Sequence, residues 1–161
     1  MIIIGHRGAA GLALENTMAS FEAAVQSGAD MLEFDIRLTR DGVAVVIHDA
    51  SLKRTHGVSG VISQMTLAEL KQATKQNPVP TLTQVLDAYF GKVILNIELK
   101  SRSSAKVVHQ IIKSYAKNSQ SKWDNLLISS FLTGELTALR KLEPLANLAL
   151  LHNNNPFTFL A

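Results

Sequence analysis

The sequence predicts an α/β fold of the TIM-barrel (β/α)8 type, with about six β/α units present. Three observations carry that prediction. Short apolar runs alternate with segments of helical periodicity along the chain, which argues for a parallel sheet joined by helical crossovers. The residues with chemical capacity, His6, Arg7, Glu33, Asp35, His48, Glu98 and Lys100, all lie in or just after those apolar runs. In a barrel the site is built at the C-terminal ends of the strands. An open doubly wound sheet also places ligands there, but it more often shows a glycine-rich phosphate loop opening a helix, and no G-x-G-x-x-G or Walker pattern occurs here.

The elements follow in order. Ile2-Ile3-Ile4 is a β-branched run stopped by Gly5 and Gly8 and reads as a buried strand entering a tight turn. Asn16 is expected to N-cap a helix over about residues 17–27, with Met18, Phe21, Ala24 and Val25 at helical spacing and Gly28 closing it. Met31–Arg37 alternates polar and apolar residues. A strand has a side-chain period of two, so Glu33, Asp35 and Arg37 share one face, and Leu32, Phe34 and Ile36 the other. Asp41-Gly42 marks a turn into a third strand, Val43–Ile47, which ends at His48-Asp49. Residues 50–65 read as irregular. Thr66 and Glu69 form a capping box for a helix over roughly 67–75, and Asn77-Pro78-Val79-Pro80 breaks it. Thr81 caps a helix through Phe90, closed by Gly91. Val93–Lys100 is a fourth strand, with Asn96, Glu98 and Lys100 on one face. A helix over about 104–117, a fifth strand at Leu126–Ser130, a helix at Thr133–Leu142, a sixth strand at Leu148–Leu151 and a loop over 152–156 complete the reading.

The bulk composition narrows the function classes. A chain of 161 residues with 47% hydrophobic residues is expected to form one domain with a real core. The net charge of +3 comes without a dense Lys/Arg run, so no nucleic-acid partner is expected. There is no cysteine, which removes disulfides and thiolate chemistry. No apolar run reaches transmembrane length, and Met1–His6 lacks the basic start and apolar length of a signal peptide, so the expected location is cytoplasmic.

The chemistry lies in the strand-end residues. Two carboxylates side by side on a strand repel each other unless a positive charge sits between them. Glu33, Asp35 and Glu98, from two strands whose inward faces converge, suit Mg²⁺ or Ca²⁺ better than Zn²⁺, which favours His and Cys. His6 and His48 end separate strands, and a pair of histidines serves as general acid and general base near neutral pH. Arg7 offers a planar fork for a phosphate and Lys100 a point charge; both also have a competing role as ion-pair partners of the acids. Asn16 is expected to be a site residue on the substrate side as well as a cap, with Glu15 a further polar group near the metal. His56, His109 and His152 are expected to be structural or at the surface. A metal, cationic side chains and an acid/base pair together describe phosphoryl chemistry.

In this order and spacing, Gly5-His6-Arg7-Gly8, Glu15-Asn16-Thr17, Glu33-Phe34-Asp35, His48-Asp49, Leu52-Lys53-Arg54-Thr55 and Glu98-Leu99-Lys100 resemble the glycerophosphodiester phosphodiesterases. Each motif alone is weak; together, across about residues 2–100, they are specific. The resemblance implies a TIM barrel that hydrolyses glycerophosphodiesters to an alcohol and glycerol 3-phosphate with a divalent cation. It implies His6 and His48 as the acid–base pair, Glu33, Asp35 and Glu98 as metal ligands, Arg7 on the phosphate and Lys100 beside the substrate. It also implies a single domain over 1–161 with a small insertion at about 50–79. Leu14 stands where the family usually has proline, a change that only loosens a loop.

Family members generally run to eight strands, and six are counted here. An unclosed barrel exposes two edges, so a homo-oligomer covering them is expected. Two other functions compete with the metal-dependent phosphodiesterase. One is a truncated barrel of weak or no activity that serves as a binding or structural protein. The other is a phospholipase D-type lipid enzyme on the same barrel, disfavoured because secreted members of that group carry disulfides.

Overall fold

A computed structural model describes residues 1–116 and 123–152. The tail of the expected helix at 117 and most of the expected 152–156 loop lie outside the described residues.

Six strands form one sheet: β1 (Ile4–His6), β2 (Met31–Leu38), β3 (Ala44–Val46), β4 (Ile94–Leu99), β5 (Leu126–Ser130) and β6 (Leu148–Leu150). The path β1-β2-β4-β5-β6 is parallel throughout. Helices α1 (Met18–Gln26), α2 (Lys53–His56), α3 (Leu67–Ala73), α4 (Leu82–Tyr89), α5 (Ser104–Ala116) and α6 (Thr133–Leu142) connect it. Among the described residues, no helix is long and apolar enough to cross a membrane.

The expected third strand is present but runs the other way. β3 pairs antiparallel with the end of β2, matching Ile36 to Val46 and Leu38 to Ala44. The reason is chain length. A parallel return needs a crossover of about a dozen residues, whereas Thr39–Val43 is a tight turn with Gly42 at φ 78°. Five strands are therefore parallel, and β3 leans over the C-terminal end of β2.

Other boundaries moved for local reasons. Thr17, not Asn16, caps α1: its side chain accepts from the Ser20 amide, and Ser20 reciprocates. Asn16 has a positive φ of 57°, whereas an N-cap residue takes extended backbone, as Thr17 does. The capping boxes of Thr66 with Glu69 and of Thr81 with Gln84 form as expected. Ile2, Ile3 and Ile4 are exposed rather than buried. β1 pairs only with β2 among the described residues, so one of its sides has no neighbour.

The main core lies between sheet and helices. Phe21 of α1, Leu32, Phe34 and Ile36 of β2, Leu95 and Ile97 of β4, and Val108 and Ile112 of α5 are fully buried in one cluster. Their polar neighbours on β2 and β4 are thereby turned to the opposite face. Residues 50–65, read as irregular, carry α2 and a 3₁₀ turn at Ile62–Gln64. Leu52 and Ile62 pack there with Val45, Ile47, Leu70 and Val79 in a second apolar cluster that seats α2 beside β3.

Candidate active site

The site begins at a turn that requires glycine at one position, Gly8. After His6, Arg7 takes φ 54° and Gly8 φ 80°. A Cβ at Gly8 would clash with Ser20 Oγ and would meet Ser20 O at 2.7 Å. The turn is pinned to α1 by the Ala9 amide donating to Ser20 O (2.8 Å) and by Ser20 Oγ donating to Arg7 O (3.0 Å). A left-handed arginine is sparsely populated backbone, which persists where the surroundings over-determine it. Here it aims the Arg7 amide at Glu33 Oε2 (2.9 Å).

Register brings the acids together. β2 and β4 pair so that Glu33 sits beside Asn96 and Asp35 beside Glu98. Glu33, Asp35 and Glu98 are all buried, and each offers an oxygen within 4.8 Å of the others. Two cations reach into the cluster. Lys100 Nζ lies 2.8 Å from Glu98 Oε1 and 3.4 Å from Asp35 Oδ1, and Arg7 Nε lies 3.6 Å from Asp35 Oδ2. Asn16 is buried beneath them, donating from Nδ2 to Asp35 Oδ2 (2.9 Å) and accepting the Asp35 amide. Its carboxamide is thus engaged with the side chain and backbone of Asp35.

The cluster is short of positive charge. Burial first, and the charge of Asp35 second, push the Glu33 carboxyl up to about 7. Asp35 Oδ1, though buried, accepts no hydrogen bond among the described residues. Three convergent carboxylates, met by the Lys100 ammonium at 3.4 Å from Asp35 Oδ1, form a hard-oxygen set that fits a divalent cation of the Mg²⁺ or Ca²⁺ kind.

The histidines flank these acids. His6 is the last residue of β1, largely exposed, with Nε2 3.8 Å from Glu33 Oε2. His48 stands just past β3, where the Ile47 amide donates to Asp35 O (2.9 Å) and Arg37 Nε donates to His48 O (2.8 Å). Its Nδ1 is 2.7 Å from Asp49 Oδ1. Arg54, which sequence reasoning quoted but gave no role, donates from Nε to Asp49 Oδ2 (2.6 Å) and from Nη1 and Nη2 to Glu15 (2.8 and 2.6 Å). Glu15 in turn accepts from Arg7 Nη1 (3.0 Å). Arg54 is the first reason that the Asp49 carboxyl is held down at about 2.

His6, Arg7, Glu33, His48, Glu98 and Lys100 line one open cavity of about 590 Å³. Asn96 and Ser129 also line it, with Ser129 Oγ donating to Asn96 Oδ1 (2.8 Å). Phe131 and Leu151 form an apolar side, with Lys100 Nζ 5.6 Å from the centre of the Phe131 ring. A hollow of similar size, about 570 Å³, opens beside Met31, Ile94 and Leu126 at the N-terminal end of the strands, and none of the expected catalytic residues lines it. His56 is bound to Asn77 O (3.0 Å) and His109 stacks on Trp123, and neither lines this cavity.

The family model of the glycerophosphoryl diester phosphodiesterases matches residues 6–158. A glycerophosphodiester phosphodiesterase of Bacillus altitudinis is 37% identical over 161 residues, covering 92% of this chain and 65% of that protein. The crystal structure of a glycerophosphodiester phosphodiesterase from Thermotoga maritima superposes with a TM-score of 0.82 at 35% identity, covering 96% of this chain and 64% of that one. A phosphodiesterase of Oleispira antarctica, solved in complex with the product sn-glycerol-3-phosphate, superposes with a TM-score of 0.77 at 32% identity, covering 92% of this chain and 64% of that one. The chain thus spans just under two thirds of the length of these proteins.

Proposed function

Because the chain belongs to the glycerophosphoryl diester phosphodiesterase family, with its TIM-barrel type of architecture, we propose that it hydrolyses glycerophosphodiesters to an alcohol and glycerol 3-phosphate. In this reading Glu33, Asp35 and Glu98 hold a divalent cation, Mg²⁺ or Ca²⁺, and His6 and His48 are the acid–base pair. The observation that carries it is one cavity on which three buried carboxylates within 4.8 Å of one another meet two histidines, an arginine and a lysine. The product named with the Oleispira structure supports the substrate class.

The residues divide the work by their chemistry. One imidazole accepts a proton from the attacking water as its oxygen bonds to phosphorus, and the other gives a proton to the alkoxide that leaves as the P–O bond to the alcohol breaks. Arg7 and Lys100 face the phosphate oxygens across the cavity mouth, the former as a planar donor fork, the latter as a compact charge. A bound divalent cation supplies further neutralisation of the phosphate oxygens. Asn16 works one layer below: it donates to the Asp35 carboxylate and accepts the Asp35 amide, and in this reading it positions that ligand instead of meeting substrate.

The test is hydrolysis of glycerophosphocholine by the purified chain with Mg²⁺ or Ca²⁺, and again with a chelator. Release of glycerol 3-phosphate that stops on chelation is the expected result. No release by a folded, metal-supplied sample overturns the reading.

A further inference from the structure

We propose that Arg54 is a positioning residue for this hydrolysis: its guanidinium fork holds Asp49 against His48 on one side and Glu15 against Arg7 on the other. The proposal rests on the assignment of His48 as an acid–base group and of Arg7 as a phosphate ligand. Arg54 touches neither of them directly. It lies in α2, outside the residues that line the cavity, and acts through the two carboxylates.

The geometry carries the argument. Arg54 spends three of its five donors on two carboxylates: Nε on Asp49 at 2.6 Å, Nη1 and Nη2 on Glu15 at 2.8 and 2.6 Å. Asp49 Oδ1 is then left for His48 Nδ1 at 2.7 Å. An ionised carboxylate can only accept, so Nδ1 carries the hydrogen in the neutral ring and Nε2 is the nitrogen left to exchange a proton with substrate. The depressed ionisation of Asp49 near 2 agrees with a carboxylate kept charged at any working pH. On the other arm, Glu15 Oε1 is shared between Arg54 Nη2 and Arg7 Nη1, which fixes one edge of the Arg7 guanidinium while its Nε faces Asp35.

Arg54 is itself held by the core. Leu52, two residues earlier, is fully buried in the second apolar cluster, and its amide donates to Gly60 O (3.0 Å). The α2 turn is thereby fixed relative to β3, and Arg54 projects back across the groove to a loop 39 residues earlier in the chain. One side chain therefore sets the ring that moves a proton and the guanidinium that meets phosphate, joining the β3 exit loop to the β1 turn. A lysine places one point charge where two carboxylates need a fork, so it does not substitute.

The test uses the full chain carrying Arg54→Met, with Arg54→Lys beside it. Arg54 is half-exposed, and a backbone amide spectrum with wild-type core shifts confirms folding of each variant. Imidazole ¹⁵N shifts of His48 at alkaline pH report the tautomer: the wild type is expected to show the Nδ1–H form, and Arg54→Met a mixture. The same variant is expected to bind sn-glycerol 3-phosphate more weakly and to lose about 10–100-fold in kcat/KM on glycerophosphocholine, divided between kcat, through His48, and KM, through Arg7. Arg54→Lys keeps most of that loss. An unchanged tautomer together with unchanged product binding in folded Arg54→Met overturns the proposal, as does full restoration by lysine. If the wild type shows no turnover, the hydrolase reading fails, and the tautomer and product titration still decide whether Arg54 positions these groups.

Discussion

The two halves of the site are built in opposite ways. The carboxylate half stands on adjacent parallel strands, and its geometry follows from the β2–β4 register alone, Asp35 beside Glu98. It is buried and strained by its own charge, with Glu33 held up near 7. The loop half, His48-Asp49 with Arg54, Glu15 and Arg7, stands on turns and on a four-residue helix, and it is partly open to solvent. Its charges are matched, and Asp49 is held down near 2. Backbone hydrogen bonds thus place the groups that repel one another, and ion pairs place the groups that attract. A rigid ladder can hold an unfavourable cluster that a loop would relax, so the part of the site that costs folding energy is the part built on strands.

The largest effect tests whether the two halves meet at one reaction. His6→Ala and His48→Ala should each lower kcat on glycerophosphocholine by about 10²–10⁴-fold with thermal stability nearly unchanged. His6 is largely exposed and His48 half-buried, so neither leaves a cavity in the core. Near-normal turnover in either variant removes that residue from the acid–base pair.

Glu33→Gln separates function from stability. Activity should fall by about 10²–10³-fold, because one of three hard ligands loses its charge. In chelator, however, the variant should be more stable than the wild type, by about 1–3 kcal/mol, since a buried charge facing two others is removed. Glutamine keeps the acceptor for the Arg7 amide. A melting temperature that falls instead would show the carboxylate cluster to be stabilising, and the contrast between the halves would be lost.

Gly8→Ala attacks the turn that carries Arg7, which serves both halves. The added methyl meets Ser20 backbone and side chain at a φ of 80°, so a loss of about 2–4 kcal/mol in urea unfolding is expected. A loss within error would mean that the turn relaxes freely and that the contact with α1 does not set Arg7.

The contrast also explains what was legible in the sequence. Period-two alternation put Glu33 and Asp35 on one face, and Glu98 on a second strand, without any knowledge of the third dimension. Capping boxes at Thr66 and Thr81 are equally local. Arg54 had no such signal: it sits in a stretch read as irregular, and its partner Glu15 is 39 residues away. The exposure of Ile2–Ile4 depends on which strands flank β1, a property of topology that no apolar run carries. The antiparallel sense of β3 was legible in the short Asp41-Gly42 connection, which is too brief for a crossover. Asn16 looked like a cap because it precedes a helix, yet its left-handed backbone turns its carboxamide inward to Asp35 and leaves the cap to Thr17.

The smallest effect is the pH signature of the loop half. Asp49 titrates near 3.8 in an unfolded chain and near 2 here. A lowered acid contributes stability that is present above about 3.8 and lost as pH falls through about 2. Because Arg54 is half-exposed and water screens the pair, the contribution is below about 1 kcal/mol. Asp49→Asn should therefore be slightly less stable than wild type at neutral pH, and the gap should close between about pH 4 and pH 2, with both proteins compared in chelator so that the metal ligands contribute alike. A gap that persists unchanged through that window would mean that Asp49 acts by hydrogen-bond shape and not by charge. The loop half would then be held by geometry in the same way as the strands.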